Sequence, residues 1–200
     1  VYDGDTTATS GEVSAGTVSG KVGSENVTVA GTGTFAAATA GTHNVALAYT
    51  LSGSDAGNYS APANETVTNG GTISAKGLTQ SGASAANKAY DAGTSAVVSG
   101  GSLSGVVGSD TVSVSSTGTF SSASVANGKT VTFALTGGDA GNYSITSGGT
   151  TTANITVKPL TISGSTAAKV YDGDTTATSG EVSAGTVSGK VGSENVTVVG

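Results

Sequence analysis

Residues 1–31 return as residues 170–200 with a single change, Ala30 against Val199, and no other property of the chain restricts its fold so tightly. Self-similarity at this level is the mark of an array, in which each segment supports its neighbours instead of wrapping one central core. A diverged copy lies between the two. Tyr2-Asp3-Gly4 answers to Tyr90-Asp91-Ala92, and Gly31-Thr32-Gly33-Thr34-Phe35 to Ser116-Thr117-Gly118-Thr119-Phe120. Further on, Asp55-Ala56-Gly57-Asn58-Tyr59-Ser60 matches Asp139-Ala140-Gly141-Asn142-Tyr143-Ser144, and Ile73-Ser74-Ala75-Lys76 matches Ile155-Thr156-Val157-Lys158. The offset between copies drifts from anchor to anchor, as it does when loops gain and lose residues between fixed elements. The near-identical repeat is therefore two modules long.

Joints are expected near Lys76-Gly77-Leu78 and Lys158-Pro159-Leu160, where Gly or Pro interrupts a β-rich run before a new apolar pair begins. That gives a module at 1–76 without its opening strand, a complete module at 77–158 and the front of a third at 159–200. Within a module the apolar period is two. Val45, Leu47, Tyr49 and Leu51 alternate with small or polar residues, as do Val131, Phe133 and Leu135. Val27-Thr28-Val29, Val112-Ser113-Val114 and Ile155-Thr156-Val157 repeat the pattern, and Gly, Asn and Asp between the runs supply turns. No amphipathic helix stands out. The fold class is all-β, an elongated array of small β-sandwich-like, immunoglobulin-like modules with antiparallel strands, and the alternatives are β-grasp-like modules or a β-solenoid.

Composition narrows the chemistry. Gly, Ala, Ser and Thr fill 123 of 200 positions, and Leu, Ile, Val and Phe only 37, so the core is thin and offers little apolar material for a substrate pocket. Low charge, at 10% of residues, argues against a disordered tail. Seven Lys, no Arg and a net charge of −6 give no footprint for a phosphate backbone, which excludes nucleic acid as a partner. With no Cys and one His, zinc spacings, thiolate catalysis and disulfides are absent. No apolar run approaches the length needed to span a bilayer, so no membrane insertion of this segment is expected. The abrupt start at Val1-Tyr2-Asp3 suggests an excerpt of a longer protein.

Four ordered motifs now stand together: Lys-x-Tyr-Asp-Gly with Thr-Thr-Ala, Thr-Gly-Thr-Phe, Asp-Ala-Gly-Asn-Tyr, and Lys-Pro-Leu-Thr. They read here as Lys169-Val170-Tyr171-Asp172-Gly173, Thr32 to Phe35, Asp139 to Tyr143, and Lys158-Pro159-Leu160-Thr161. This pattern resembles the YDG repeat of large bacterial surface proteins, the filamentous-haemagglutinin-like adhesins and related exoproteins. The chain departs from it at Asp91-Ala92-Gly93, at the added Asp5 and Asp174, and at Gly77 where Pro159 stands later. The resemblance implies a passive tandem spacer, extracellular and on the bacterial surface, whose partners are the neighbouring modules of the same chain.

Each candidate site has a plain competitor. Asp3, Asp5, Asp172 and Asp174 could lend oxygens to calcium, the one cofactor considered, yet an Asp-Gly turn explains the same residues without metal. Asp55, Asn58, Asp139 and Asn142 are expected to shape the turns before Tyr59 and Tyr143, whose rings should pack inward. For Tyr2, Tyr90 and Tyr171 the expectation is a buried ring with its hydroxyl on nearby backbone, and a glycan-stacking platform is the rival. Lys88 and Lys169 sit where an isopeptide bond to an Asn such as Asn142 is conceivable, though snorkelling lysines explain the position. Asn26, Asn58, Asn64, Asn142, Asn154 and Asn195 each open an Asn-x-Ser/Thr sequon. His43 aligns with Asn127 and is taken as a loop residue, so no Ser-His-Asp set repeats and no enzyme is expected. Function at this stage is a stalk that holds a distal adhesive region away from the surface. A self-associating fibre and a glycan- or host-protein-binding module are the alternatives.

Overall fold

The structure, a computed structural model, describes residues 1–199. Its strands in chain order are β1 (Thr7–Ala8), β2 (Thr28–Phe35), β3 (Gly41–Ser52), β4 (Glu65–Ile73), β5 (Lys76–Ala85), β6 (Lys88–Ala89), β7 (Ser95–Ser104) and β8 (Ser113–Phe120). They continue as β9 (Ala126–Thr136), β10 (Tyr143–Ser147), β11 (Thr150–Thr156), β12 (Thr161–Ser163), β13 (Thr166–Ala167), β14 (Val182–Ser183) and β15 (Thr186–Ser188). Short 3-10 turns at Ala56–Asn58 and Ala140–Asn142 are the helical elements among the described residues. The fold is mostly β and is divided among several sheets. Two compact units form. The first gathers Val1–Gly82, Gly101–Ser115 and Ala134–Gly149, and the second Ala83–Gly100, Ser116–Phe133 and the residues from Thr150 onward.

In the first unit β1, β2, β3 and β4 make an antiparallel sheet in sequence order. The period-two pattern is realised: Val45 is buried and Leu47, Tyr49 and Leu51 are half-buried on one face of β3. Glycine in the Thr-Gly-Thr motif has a packing reason. A Cβ on Gly33 would stand 2.9 Å from Val45 Cγ1 and 3.3 Å from the Ala8 methyl, so the side chains of β1 and β3 close over β2 here only because its backbone is bare. Ala8 is the lateral partner of Gly33 in the antiparallel ladder of β1 and β2. Tyr2, Ile73 at the end of β4, Leu78 and Tyr143 form a buried cluster, with Phe35, Leu103, Val106, Val107, Val112 and Leu135 packed on it.

The second unit repeats these devices. Ala96 pairs with Gly118 across β7 and β8, as Ala8 does with Gly33, and β9 pairs antiparallel with β11. Phe120, Val131 and Ile155 are fully buried. Short ladders β12 with β15 and β13 with β14 follow.

Not every pairing is antiparallel, as had been expected. β10 runs parallel to β5, with Ile145 opposite Leu78, and β11 runs parallel to β6, with Ile155 opposite Lys88. In each case a strand that opens a sequence segment is captured by a strand that arrives much later in the chain, a crossover that hairpin turns cannot supply. His43 also differs from its reading as a loop residue. It lies in β3, half-buried, with Nε2 2.6 Å from the Thr39 carbonyl oxygen and its ring edge-on to Phe35.

Candidate functional site: a tyrosine-carboxylate joint

Asp3 folds its own turn: Oδ1 accepts from the Asp5 amide, and Asp5 Oδ1 accepts from Thr7 N. Gly4, at φ +91°, takes a left-handed turn that an L residue enters only with strain. This turn aims Tyr2 inward while its amide donates to the Ser74 carbonyl just past the end of β4. The ring is 6% exposed and meets Tyr143 edge-on, with centroids 5.3 Å apart and planes at 78°.

Both phenols converge on one acid. Tyr2 Oη donates to Asp110 Oδ2 at 2.8 Å and Tyr143 Oη to the same oxygen at 2.5 Å. Tyr143 Oη in turn accepts from the Val107 amide at 2.9 Å. The hydrogen bond to the Asp110 carboxylate, then burial, push the Tyr2 hydroxyl up to about 12. Burial first and the same carboxylate second raise that of Tyr143. At neutral pH the joint is thus two neutral phenols on one carboxylate, with charge-assisted hydrogen bonds in a largely apolar setting.

Asp139 completes the frame. Its Oδ2 accepts from the Thr111 amide and its own amide donates to the Thr111 carbonyl, so the Asp-Ala-Gly-Asn-Tyr turn is clamped to the segment that carries Asp110. Asn142 is buried, and its Oδ1 accepts from the Ala40 amide. These residues were expected to shape their own turn. Asp55 and Asp139 head these turns, their carbonyls accepting from the Asn58 and Asn142 amides, and their carboxylates, which do not cap the turns, reach across to another segment.

The second unit contains the matching joint. Tyr90 N donates to the Thr156 carbonyl, as Tyr2 N does to Ser74, and Tyr90 Oη donates to Glu194 Oε1 at 2.5 Å, which raises its titration. Here the turn is made by Asp91, whose Oδ1 accepts from Gly93 N and from Lys88 Nζ, while Ala92 holds φ +60°. The Lys88 ammonium also reaches the Gly93 carbonyl and lies 5.6 Å over the Phe120 ring.

The first module shows the same acid with one phenol. Tyr59 Oη donates to Glu25 Oε2 and accepts from Val22 N, and Asp55 Oδ2 accepts from Asn26 N. Glu25, Asp110 and Glu194 stand at one position of the repeat, two residues before the Val-x-Val run. An acid there in every copy was the signal that sequence reasoning passed over.

The hydroxyls of Tyr2 and Tyr90 therefore differ from the expectation of a backbone partner. The Val-Gly-Ser/acid loop of the following module brings a carboxylate to the ring, and a carboxylate outcompetes a carbonyl for a phenol. Tyr171 differs from the expected buried ring. It is 93% exposed, and Lys169 Nζ pairs with Asp172 and Asp174 beside it, both of which it holds below the usual carboxylate range. Asp172 and Asp174 take the same turn contacts as Asp3 and Asp5, with Gly173 at φ +87°. No group of three or more His, Cys, Asp or Glu side chains gathers to hold a metal among the described residues. Of the sequon asparagines, Asn26, Asn58, Asn64 and Asn195 are exposed, Asn154 is half-buried with Oδ1 on the Gly128 amide, and Asn142 is buried.

Fold and joints together define a class: a mostly β chain of repeated sequence in which one repeat's tyrosine turn is received by the next repeat's acid. The chain belongs to the YDG domain family, whose model matches residues 1–68 and 74–153, most of its length. No curated protein and no solved structure matches it.

Proposed function

We propose that this chain is a structural spacer, a run of small β-sandwich-like modules in a secreted bacterial surface adhesin that projects a distal adhesive region outward. The observation that carries the reading is the one-to-next joint: Tyr2 of the first module on Asp110 of the second, and Tyr90 of the second on Glu194 of the third. Such a linkage joins each module to its successor by setting a phenol on a carboxylate, with the ring buried at Tyr2 and half-buried at Tyr90, which restrains bending at the junction without a disulfide. Membership of the YDG family and the resemblance to repeats of bacterial surface proteins support the extracellular setting. The test is electron imaging of purified arrays of two, four and eight modules over a range of protein concentrations. Particle length that grows linearly with module number and ignores concentration is the expected result. Filaments or bundles that lengthen with concentration overturn the spacer reading in favour of a self-assembling fibre.

A further inference from the structure

The socket that receives Tyr2 has a counterpart in the first module at the same positions of the repeat. Tyr143 and Asp110 contact Tyr2 directly, and Leu103, Val107, Val112 and Leu135 pack against the buried cluster to which it belongs. By the repeat these positions are Val18, Val22, Val27, Leu51, Tyr59 and Glu25. Four of them, Val18, Val27, Leu51 and Tyr59, line a cavity of about 410 Å³. Two positions differ in cover: Val22 is 72% exposed where Val107 is half-buried, and Tyr59 is half-buried where Tyr143 is 7% exposed, while Val27 is buried beneath them. Glu25 carries the Tyr59 phenol, whereas Asp110 carries two.

The chain also displays what sits on a socket of this sequence. Residues 170–200 repeat residues 1–31, so Glu194, Val191 and Val196 reproduce Glu25, Val22 and Val27. In the second unit Tyr90 occupies that place, donating to Glu194 beside Val191 and Val196. The first type of turn, Val1-Tyr2-Asp3-Gly4, is instead seated on an aspartate, and the second type, Ala89-Tyr90-Asp91-Ala92, on a glutamate that is one methylene longer.

We propose that the Glu25 socket is a docking site for the tyrosine turn of another YDG module of the second type, which completes it by placing a second phenol on Glu25. The proposal stands on the joint alone and holds whether or not the array serves as a stalk.

A tandem chain tests it, in which residues 1–169 precede a full copy of residues 1–200. Because residue 170 begins the repeat of residue 1, this order reproduces the junction already present in the chain. The second copy carries Val at residue 30, as residue 199 does, so that its peptides differ in mass from those of the first. Hydrogen exchange then compares the segment 19–30 in both copies of one molecule. Exchange about tenfold slower in the second copy is expected, the effect of one hydrogen bond to a charged acceptor on a local opening. Tyr90→Phe in the first copy should narrow the gap and Tyr90→Ala should close it. Glu25→Gln in the second copy, which leaves the module bearing Tyr90 untouched, should also narrow it. Equal exchange in both copies, with the peptides around Phe120 still protected, overturns the proposal, as does a gap that survives Tyr90→Ala.

Discussion

Replacing Tyr2 by Phe removes a single oxygen from the joint and keeps the buried ring against Tyr143. The hydroxyl donates to a carboxylate, and hydrogen bonds of that kind contribute about 1.5–3 kcal/mol. Asp110 is half-buried and keeps its bond from Tyr143, so its oxygen is not orphaned. The lower end of the range applies, and a loss of about 1.5 kcal/mol is expected at pH 7. Tyr2→Ala, which also empties the ring's place among Ile73, Leu78 and Tyr143, should cost about 3–5 kcal/mol. The alkaline limb separates this account from simple packing. A phenol whose hydroxyl is raised from 10 to about 12 stabilises the fold fully below pH 10, and that contribution drains away as pH climbs from 10 towards 12. Phe at residue 2 has nothing to lose in that window. Urea unfolding followed by far-ultraviolet circular dichroism should therefore show wild type above Tyr2→Phe at pH 7 and the two curves converging between pH 10 and 12. A variant as stable as wild type at pH 7, or a gap that stays constant to pH 12, refutes the argument.

Three other substitutions follow from local geometry. Ala92 holds a left-handed φ of +60° where Gly4 and Gly173 stand in the other copies, so Ala92→Gly should relieve about 1–2 kcal/mol of strain, return part of it as unfolded-chain entropy, and raise the melting temperature. A Cβ on Gly71 would fall 2.3 Å from Phe35 Cε1 and 2.5 Å from Val45 Cγ2, so Gly71→Ala should cost about 1–3 kcal/mol by urea titration, and a neutral result would mean that β4 does not lie so close. Lys129 is buried where the first module has Val45, with Nζ on Ser122 Oγ and Ser124 Oγ; Lys129→Val should be neutral or stabilising by about 1 kcal/mol, and a loss above about 2 kcal/mol would show that the ammonium supports the fold.

Strand positions were legible because they depend on near neighbours. The alternation at Val45 to Leu51 and at Val131 to Leu135 lies on one strand each, and both buried faces follow from it. The parallel partners of β5 and β6 were not legible, since capture of Leu78 by Ile145 joins residues far apart in sequence and leaves no periodic trace. The joint was half legible. Tyrosine beside a turn aspartate marked Tyr2, Tyr90, Tyr59 and Tyr143 as inward-facing, but their common acceptor belongs to a loop that has no apolar signature of its own.

The division of each joint between two modules bears on how such a chain can be copied in a genome. A duplication that adds one module sets a first-type turn in front of a first-type acid, a combination that neither joint of this chain contains. A duplication that adds two modules keeps every turn beside the acid it already meets. The inheritable segment is then the pair, and a 31-residue copy that returns after two modules with one change, while adjacent modules have diverged, is the record such a history leaves.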